Sequence, residues 1–327
     1  MNQRIAWVDR MRGLAILSVV VQHLTYCFSN SFVYHKVIGI SNMGVFFFIS
    51  GYIVMQTARI ETVSDALRFI RKRTIQLMLP LCAWQLICNK YFFCTGWTLW
   101  TRTDLLNVFL EPSLWFLLTL YGYMIAFATF KLFLKNFKSC HRGGVFTLFW
   151  ISTQVSLALI WKLTGEFHLA TLYLPFFASG IGCYQFNKEG LLENKHLASL
   201  SFLIVCLVTC FWVSGATSPM NVLYKIMVTF AVIQLTYLLC TNSGWTGVID
   251  GLIQRYGRCS LAIYVLHWSF LSLEPYHPFL PQNEWAALLL TSIFGMIVAL
   301  VCCWIYDFLR PLPWIRLFLF GQTKFSK

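Results

Sequence analysis

WAALLLTSIFGMIVALVCCWIYDFL, residues 285–309, contains one charged side chain, Asp307. At a rise of about 1.5 Å per residue, a helix of this length crosses the roughly 30 Å of hydrocarbon in a bilayer. Helical pairing also satisfies its own peptide groups where no water is available. The rest of the chain has the same character. Of its 327 residues, 58% are hydrophobic and 11% are charged, with a mean hydropathy of +0.67, whereas soluble proteins average about 25% charged. A soluble core cannot absorb this much apolar surface. A soluble domain, a secreted disulfide scaffold and a disordered chain are excluded, and an all-α polytopic membrane protein remains.

Blocks of this kind recur at 12–29, 37–56, 74–94, 113–134, 145–163, 167–186, 197–215, 220–241, 258–273 and 285–309, so about ten transmembrane helices are expected. The connections are short and no internal repeat is visible, which points to a single integral membrane domain over residues 1–327 and gives a duplicated transporter no support. The first block follows Arg4, Arg10 and Arg12 without a small-residue cleavage site, as in a retained signal anchor. Most of the 12 cysteines fall inside the blocks without zinc-ligand spacing and read as small apolar residues, so no metal is expected.

The net charge of +13 would suggest nucleic acid if it lay on one soluble face, but it is scattered between apolar blocks. With the N-terminus inside, 20 of the 25 lysines and arginines fall in cytoplasmic segments, leaving Lys36, Lys90, Arg102, Lys162 and Lys225 elsewhere. That asymmetry places both termini in the cytoplasm and makes the charge a topology signal, with membrane lipid rather than nucleic acid as the partner.

Ionisable residues inside a span are costly and therefore informative. Of seven histidines, His23 and His267 lie within blocks. His23 follows Arg12 by eleven residues, which returns to nearly the same helix face about 16 Å further along the axis. An anionic ligand held by Arg12 at the cytoplasmic boundary could therefore extend toward the imidazole. The nine residues from Arg258 to His267 give a second cation-to-histidine line of about 13 Å if that block is one helix. Arg68, Arg71, Lys72 and Arg73 form a basic cluster before the third block, suited to phosphates or anionic headgroups.

Five stretches carry a family resemblance. WVDRMRGLAILSVVVQH (7–23) resembles the opening motif of the acyltransferase-3 integral membrane acyltransferases, which O-acetylate bacterial surface glycans; in that motif an arginine and a histidine flank ten residues. MGVFFFISGYIV (43–54) is similar to the family's Phe-Phe-x-x-Ser-Gly signature, and SLWFLLTLYGYM (113–124) to its Leu-Trp-Phe-Leu segment. LPFFASGIGCY (174–184) and YGRCSLAIYVLH (256–267) resemble two later signatures. The resemblance implies that Arg12 and His23 are the essential pair, with Asp9, Ser50, Gly51, Trp115 and His267 in supporting places. It also implies the short form, without a fused extracytoplasmic hydrolase-like domain. Gln76 and Pro80 stand where the family often has a further arginine before a proline.

The function expected on this reading is transfer of an acyl group, foremost acetyl, from cytoplasmic acetyl-CoA to a hydroxyl of a lipid-linked or exported surface glycan at the bacterial inner membrane. His23 would act as base, supported by His267 and Asp9. Arg12, Arg68, Arg71, Arg73 and Arg258 would hold the donor's phosphates. A transporter or a non-catalytic component of a glycan-export complex is the alternative, and the Pro and Gly of residues 174–182 would permit the broken helix a transporter uses. Cysteine labelling in intact cells should place residues near 65, 140, 192 and 250 in the cytoplasm and those near 33, 165 and 278 outside. Labelling of position 278 from the cytoplasmic side alone would contradict ten spans.

Overall fold

The computed structural model describes residues 6–28, 39–86, 114–137, 141–165, 168–186, 188–210, 219–241, 244, 246–270 and 283–322. Among them there are helices and turns and no strand, as the all-α reading requires. The α-helices are α1 (Ala6–Phe28), α2 (Gly39–Thr57), α3 (Val63–Arg73), α4 (Leu79–Ala83), α5 (Trp115–Leu134), α6 (Arg142–Thr164) and α7 (His168–Gln185). They continue as α8 (Glu189–Leu192), α9 (Lys195–Cys210), α10 (Pro219–Thr241), α11 (Gly247–Arg258), α12 (Ser260–Leu266), α13 (Glu284–Leu309) and α14 (Pro313–Phe320). Among the described residues, Trp115–Leu134, Arg142–Thr164 and Trp285–Leu309 are long and apolar enough to cross a membrane. The chain divides into two compact units, one of Met1–Ile53 with Ser179–Tyr306 and one of Val54–Ala178 with Asp307–Lys327.

In the first unit α1 packs against α10, α11 and α12. Its contact with α11 is made backbone to backbone. A Cβ placed on Gly13 would collide with the carbonyl of Ile253, and one placed on Gly257 would collide with the carbonyl of Asp9. The pairing of 9 with 257 and of 13 with 253 makes α11 antiparallel to α1. Small residues at such a crossing let helices approach closely, which matters where the surrounding lipid supplies no hydrophobic drive for association. Arg10 secures the same crossing, because its Nε and Nη2 donate to the two Asp250 carboxylate oxygens at 2.7 and 2.9 Å and its Nη1 donates to the carbonyl of Cys240 at 3.0 Å.

Two further contacts complete this unit. A Cβ on Gly180 of α7 would meet the carbonyl of Phe48 in α2, and one on Gly295 of α13 would press on the Val21 side chain. At the end where α1 begins, Trp7 packs edge-on against Tyr52 and Tyr237, at 5.1 Å from each. The phenols of Tyr52 and Tyr237 in turn donate to Glu189 and Glu193, which ties down α8 and the residue after it.

The second unit begins with α3, closed by a capping box in which Thr62 and Asp65 satisfy each other's backbone N–H groups. The chain then passes through a π-helical turn, Thr74–Met78, into α4. Pro80 explains the turn, since it lacks the N–H that would pair with the Gln76 carbonyl in α-register. Gly321, at φ +61° after α14, lies against the backbone of Gln76, where a side chain would collide. The Trp84 indole donates to the Leu319 carbonyl at 2.9 Å and holds α14 in place. The six cysteines with described side chains, Cys82, Cys183, Cys240, Cys259, Cys302 and Cys303, are free thiols, and all but Cys82 are buried.

Two sequence expectations change. The block at 258–273 is not one helix: α11 ends at Arg258, and Cys259, at φ −94° and ψ 9°, caps it while also starting α12, with a 3₁₀ turn at His267–Phe270. The close contact at Gly257 commits α11 to run against α1, so the chain must reverse before it can return along α1. Conversely, α7 continues through Pro175 as one helix, without the break that residues 174–182 would permit.

Substituting Gly257→Ala should force α1 and α11 apart and cost about 1–3 kcal/mol, the range for overpacking a tight contact. Gly122→Ala, where a Cβ meets nothing within 4 Å, is the control and should be neutral or stabilising. Thermal unfolding in detergent reads the difference. Arg10, and after it Gln254, hold the Asp250 carboxyl at about 2. Because this value lies below that of an unfolded aspartate, near 3.9, the pair stabilises the fold above about pH 4, and the contribution is lost as pH falls toward 2. Asp250→Asn should therefore lower the melting temperature at pH 7 and converge with the parent protein near pH 2.

Candidate functional site

Helix α1 runs without interruption from Ala6 to Phe28, so Arg12 and His23 share one rigid element, as their spacing predicts. Both are half-buried. His267 is fully buried, and its ring centroid lies 5.2 Å from that of His23 with the planes 80° apart. The two histidines, 244 residues apart in sequence, thus meet edge to face within the first unit.

The local structure assigns the tautomer of His267. Its Nδ1 lies 3.0 Å from the carbonyl oxygen of Ile263, one turn earlier. A carbonyl only accepts, so Nδ1 carries the proton, and in the neutral ring Nε2 holds the basic lone pair. Tyr264 lies on the other side, its ring 6.1 Å from the imidazole. The arrangement provides two imidazoles, one with a fixed acceptor nitrogen, in a water-poor part of the bundle. It can take a proton from a hydroxyl and pass it on.

The remaining predicted residues separate by position. Asp9 is buried on α1, its backbone against Gly257. Arg258 ends α11 next to that contact but is exposed and stands on a different helix from His267, so the straight line between them is replaced by a reversal at Cys259. Ser50 and Gly51 are buried within α2, in the run whose Phe48 carbonyl receives Gly180. Arg68, Arg71, Arg73 and Trp115 belong to the second unit. There Arg68 and Arg71 are exposed, with Arg68 3.7 Å from Asp65. Arg73 donates to Gln76 Oε1 at 2.8 Å and lies 5.0 Å over the Phe69 ring. Trp115 stacks on Tyr173, with centroids 5.5 Å apart.

Sequence reasoning missed two polar groupings of the first unit. One is the Arg10–Asp250 pair, for which the signal was an aspartate in a segment otherwise rich in arginine. The other is Gln22, next to His23, whose Oε1 accepts from the buried Asn42 amide at 2.6 Å; Asn42 Oδ1 also accepts the Met43 N–H at 2.6 Å. Two amides in apolar blocks were the available signal. Among the described residues no group of three or more His, Cys, Asp or Glu side chains is placed to hold a metal ion.

Comparison with known proteins adds to the geometry. A family model described as an acyltransferase domain matches residues 5–308, from the start of α1 nearly to the end of α13. No curated protein and no solved structure matches the chain. The match takes in both histidines, Arg12 and all five signature stretches, and this membrane protein, helical and without a strand among its described residues, belongs to the acyltransferase-3 family.

Proposed function

We propose that this acyltransferase moves an acetyl group from cytoplasmic acetyl-CoA to a hydroxyl of a lipid-linked or exported surface glycan. It would do so in the bacterial inner membrane, as a ten-span protein with both termini in the cytoplasm. The observation that carries the reading is the 5.2 Å approach of the His23 and His267 rings on a helix that carries Asp9 and Arg12 in its first two turns. A half-buried and a fully buried histidine held together among apolar helices are costly as packing alone and well suited to proton transfer.

In the proposed reaction His23 removes the proton from the acceptor hydroxyl as its oxygen attacks the thioester carbonyl carbon. The carbon–sulfur bond then breaks, and the departing CoA thiolate takes up the proton held by the imidazole pair, leaving ester and free thiol. His267, fixed by Ile263, positions His23 and offers Nε2 as a second proton carrier. No Ser-His-Asp arrangement or reactive-cysteine signature stands in the sequence, which favours direct transfer over an acyl-enzyme. Arg12 is proposed to grip a phosphate of the donor, with Arg258 on the neighbouring helix as a second cation. The guanidinium fork suits that bidentate task. Arg68, Arg71 and Arg73 are proposed to bind phosphate or anionic headgroups in their own unit.

The test is release of free CoA by purified protein, dependent on added glycan. No CoA release at all would leave a transporter or a non-catalytic component, and release without a glycan requirement would mean transfer of the acyl group to water or another acceptor. His23→Gln preserves much of the volume and hydrogen bonding but cannot serve as a base, and should lower transfer by about 10² to 10⁴ at normal membrane levels with donor binding retained. His267→Gln should cost less. Wild-type rates in His23→Gln together with loss in His267→Gln would move the base to the second imidazole. Arg12→Lys should give a partial defect and Arg12→Ala near inactivity, read mainly in donor affinity.

A further inference from the structure

Helix α7 carries Pro175 in its interior, and a proline removes the N–H that would pair with the carbonyl four residues earlier, here Thr171. Within hydrocarbon an orphaned carbonyl costs several kcal/mol, so something must meet it. Gln154 of α6 does, its Nε2 donating to the Thr171 oxygen at 2.8 Å. The Tyr123 hydroxyl of α5 donates to the preceding carbonyl, Ala170. This use of the amide nitrogen fixes the orientation of Gln154, since a flipped amide would set oxygen against oxygen.

The consequence is an amide nitrogen committed to Thr171 and an amide oxygen left over. Gln154 Oε1 is buried and has no hydrogen-bond partner among the described residues. One turn earlier on the same face of α6, Trp150 is 5% exposed, and its indole Nε1 is likewise buried without a partner. Phe149, Phe130 and Phe177 pack around that indole, with centroids 5.3, 5.7 and 5.9 Å away. A donor and an acceptor are thus carried one turn apart on α6, on side chains that are each held in place for another reason.

We infer that Trp150 and Gln154, beside Pro175 of α7, form a buried binding site for one hydroxyl group. The ligand must accept from an N–H and donate to a carbonyl oxygen through one small atom. An ammonium cannot accept, an ionised phosphate or carboxylate cannot donate, and an apolar group does neither. Residues at i and i+4 are neighbours on one helix face, with Cβ atoms about 5–6 Å apart, which puts side chains of this length within reach of a common small ligand. The hydroxyl belongs either to water or to the alcohol of an amphiphile.

The experiment uses the full chain with ¹⁵N-indole tryptophan in nanodiscs of one synthetic phosphatidylcholine, with the Trp150 resonance assigned by its loss in Trp150→Phe. A cross-peak between the Trp150 indole proton and a long-lived water is the expected result. A resonance without that cross-peak, which moves when co-purified lipid is exchanged for the synthetic lipid, assigns the hydroxyl to an amphiphile and also supports the site. Absence of both responses overturns it. A second measurement replaces Trp150 by 3-benzothienylalanine, which keeps the shape and lacks the N–H. An occupied site loses a hydrogen bond and the melting temperature falls. An unchanged or raised melting temperature means that a desolvated donor was removed without loss, which overturns the proposal.

Discussion

The first unit depends on two glycines. Without a Cβ at Gly13 or Gly257, the backbones of α1 and α11 touch at the carbonyls of Ile253 and Asp9. That contact sets their register to within one residue, because any other alignment would put a side chain where only a hydrogen fits. The position of His267 follows from it. The chain leaves Gly257, turns at Cys259 and runs back along α1, so His267, the residue that caps α12, arrives beside His23. A glycine contact near the beginning of α1 thereby decides which imidazole meets which near its end.

Polar side chains elsewhere in the bundle answer specific deficits. Gln154 meets the carbonyl that Pro175 orphans, and Ser201 donates to Gln234 at 2.6 Å between α9 and α10. Asn42 orients Gln22, and Gln76 accepts from Arg73 inside the turn that Pro80 imposes. In an apolar surrounding each such group is expensive unless it is paired, so its partner is specified as closely as a core contact. The Arg10–Asp250 pair follows the same rule at the α1–α11 crossing, with side chains 16% and 15% exposed and both carboxylate oxygens engaged.

The signature stretches recognised one by one in the sequence are also packing partners within each unit. The opening stretch and the last one meet twice, at Asp9 with Gly257 and at His23 with His267. Phe48 of the second receives Gly180 of the fourth, and Trp115 of the third stacks on Tyr173 just before the fourth begins. Part of what looks like catalytic vocabulary therefore serves close helix approach. Gly51 and Ser50 lie in such a packed run, whereas Arg12 and the two histidines are ionisable groups that packing does not require, and they are the residues proposed for the chemistry.

Composition alone determined that the chain is helical and membrane-bound, because hydrocarbon leaves the peptide group few alternatives. Helical periodicity likewise placed Arg12 and His23 on one face of α1, a local relation that a continuous helix preserves. What lay beyond the sequence was every relation between helices. The meeting of His23 with His267, the salt bridge from Arg10 to Asp250 and the amide pair of Gln22 with Asn42 join residues 20 to 244 positions apart, and apolar blocks of similar composition do not encode which faces touch. The reversal at Cys259 shows the limit most clearly. Residues 258–273 read as one apolar block by their own propensities, whereas Cys259 separates α11 from α12 next to the close contact of Gly257 with the backbone of α1.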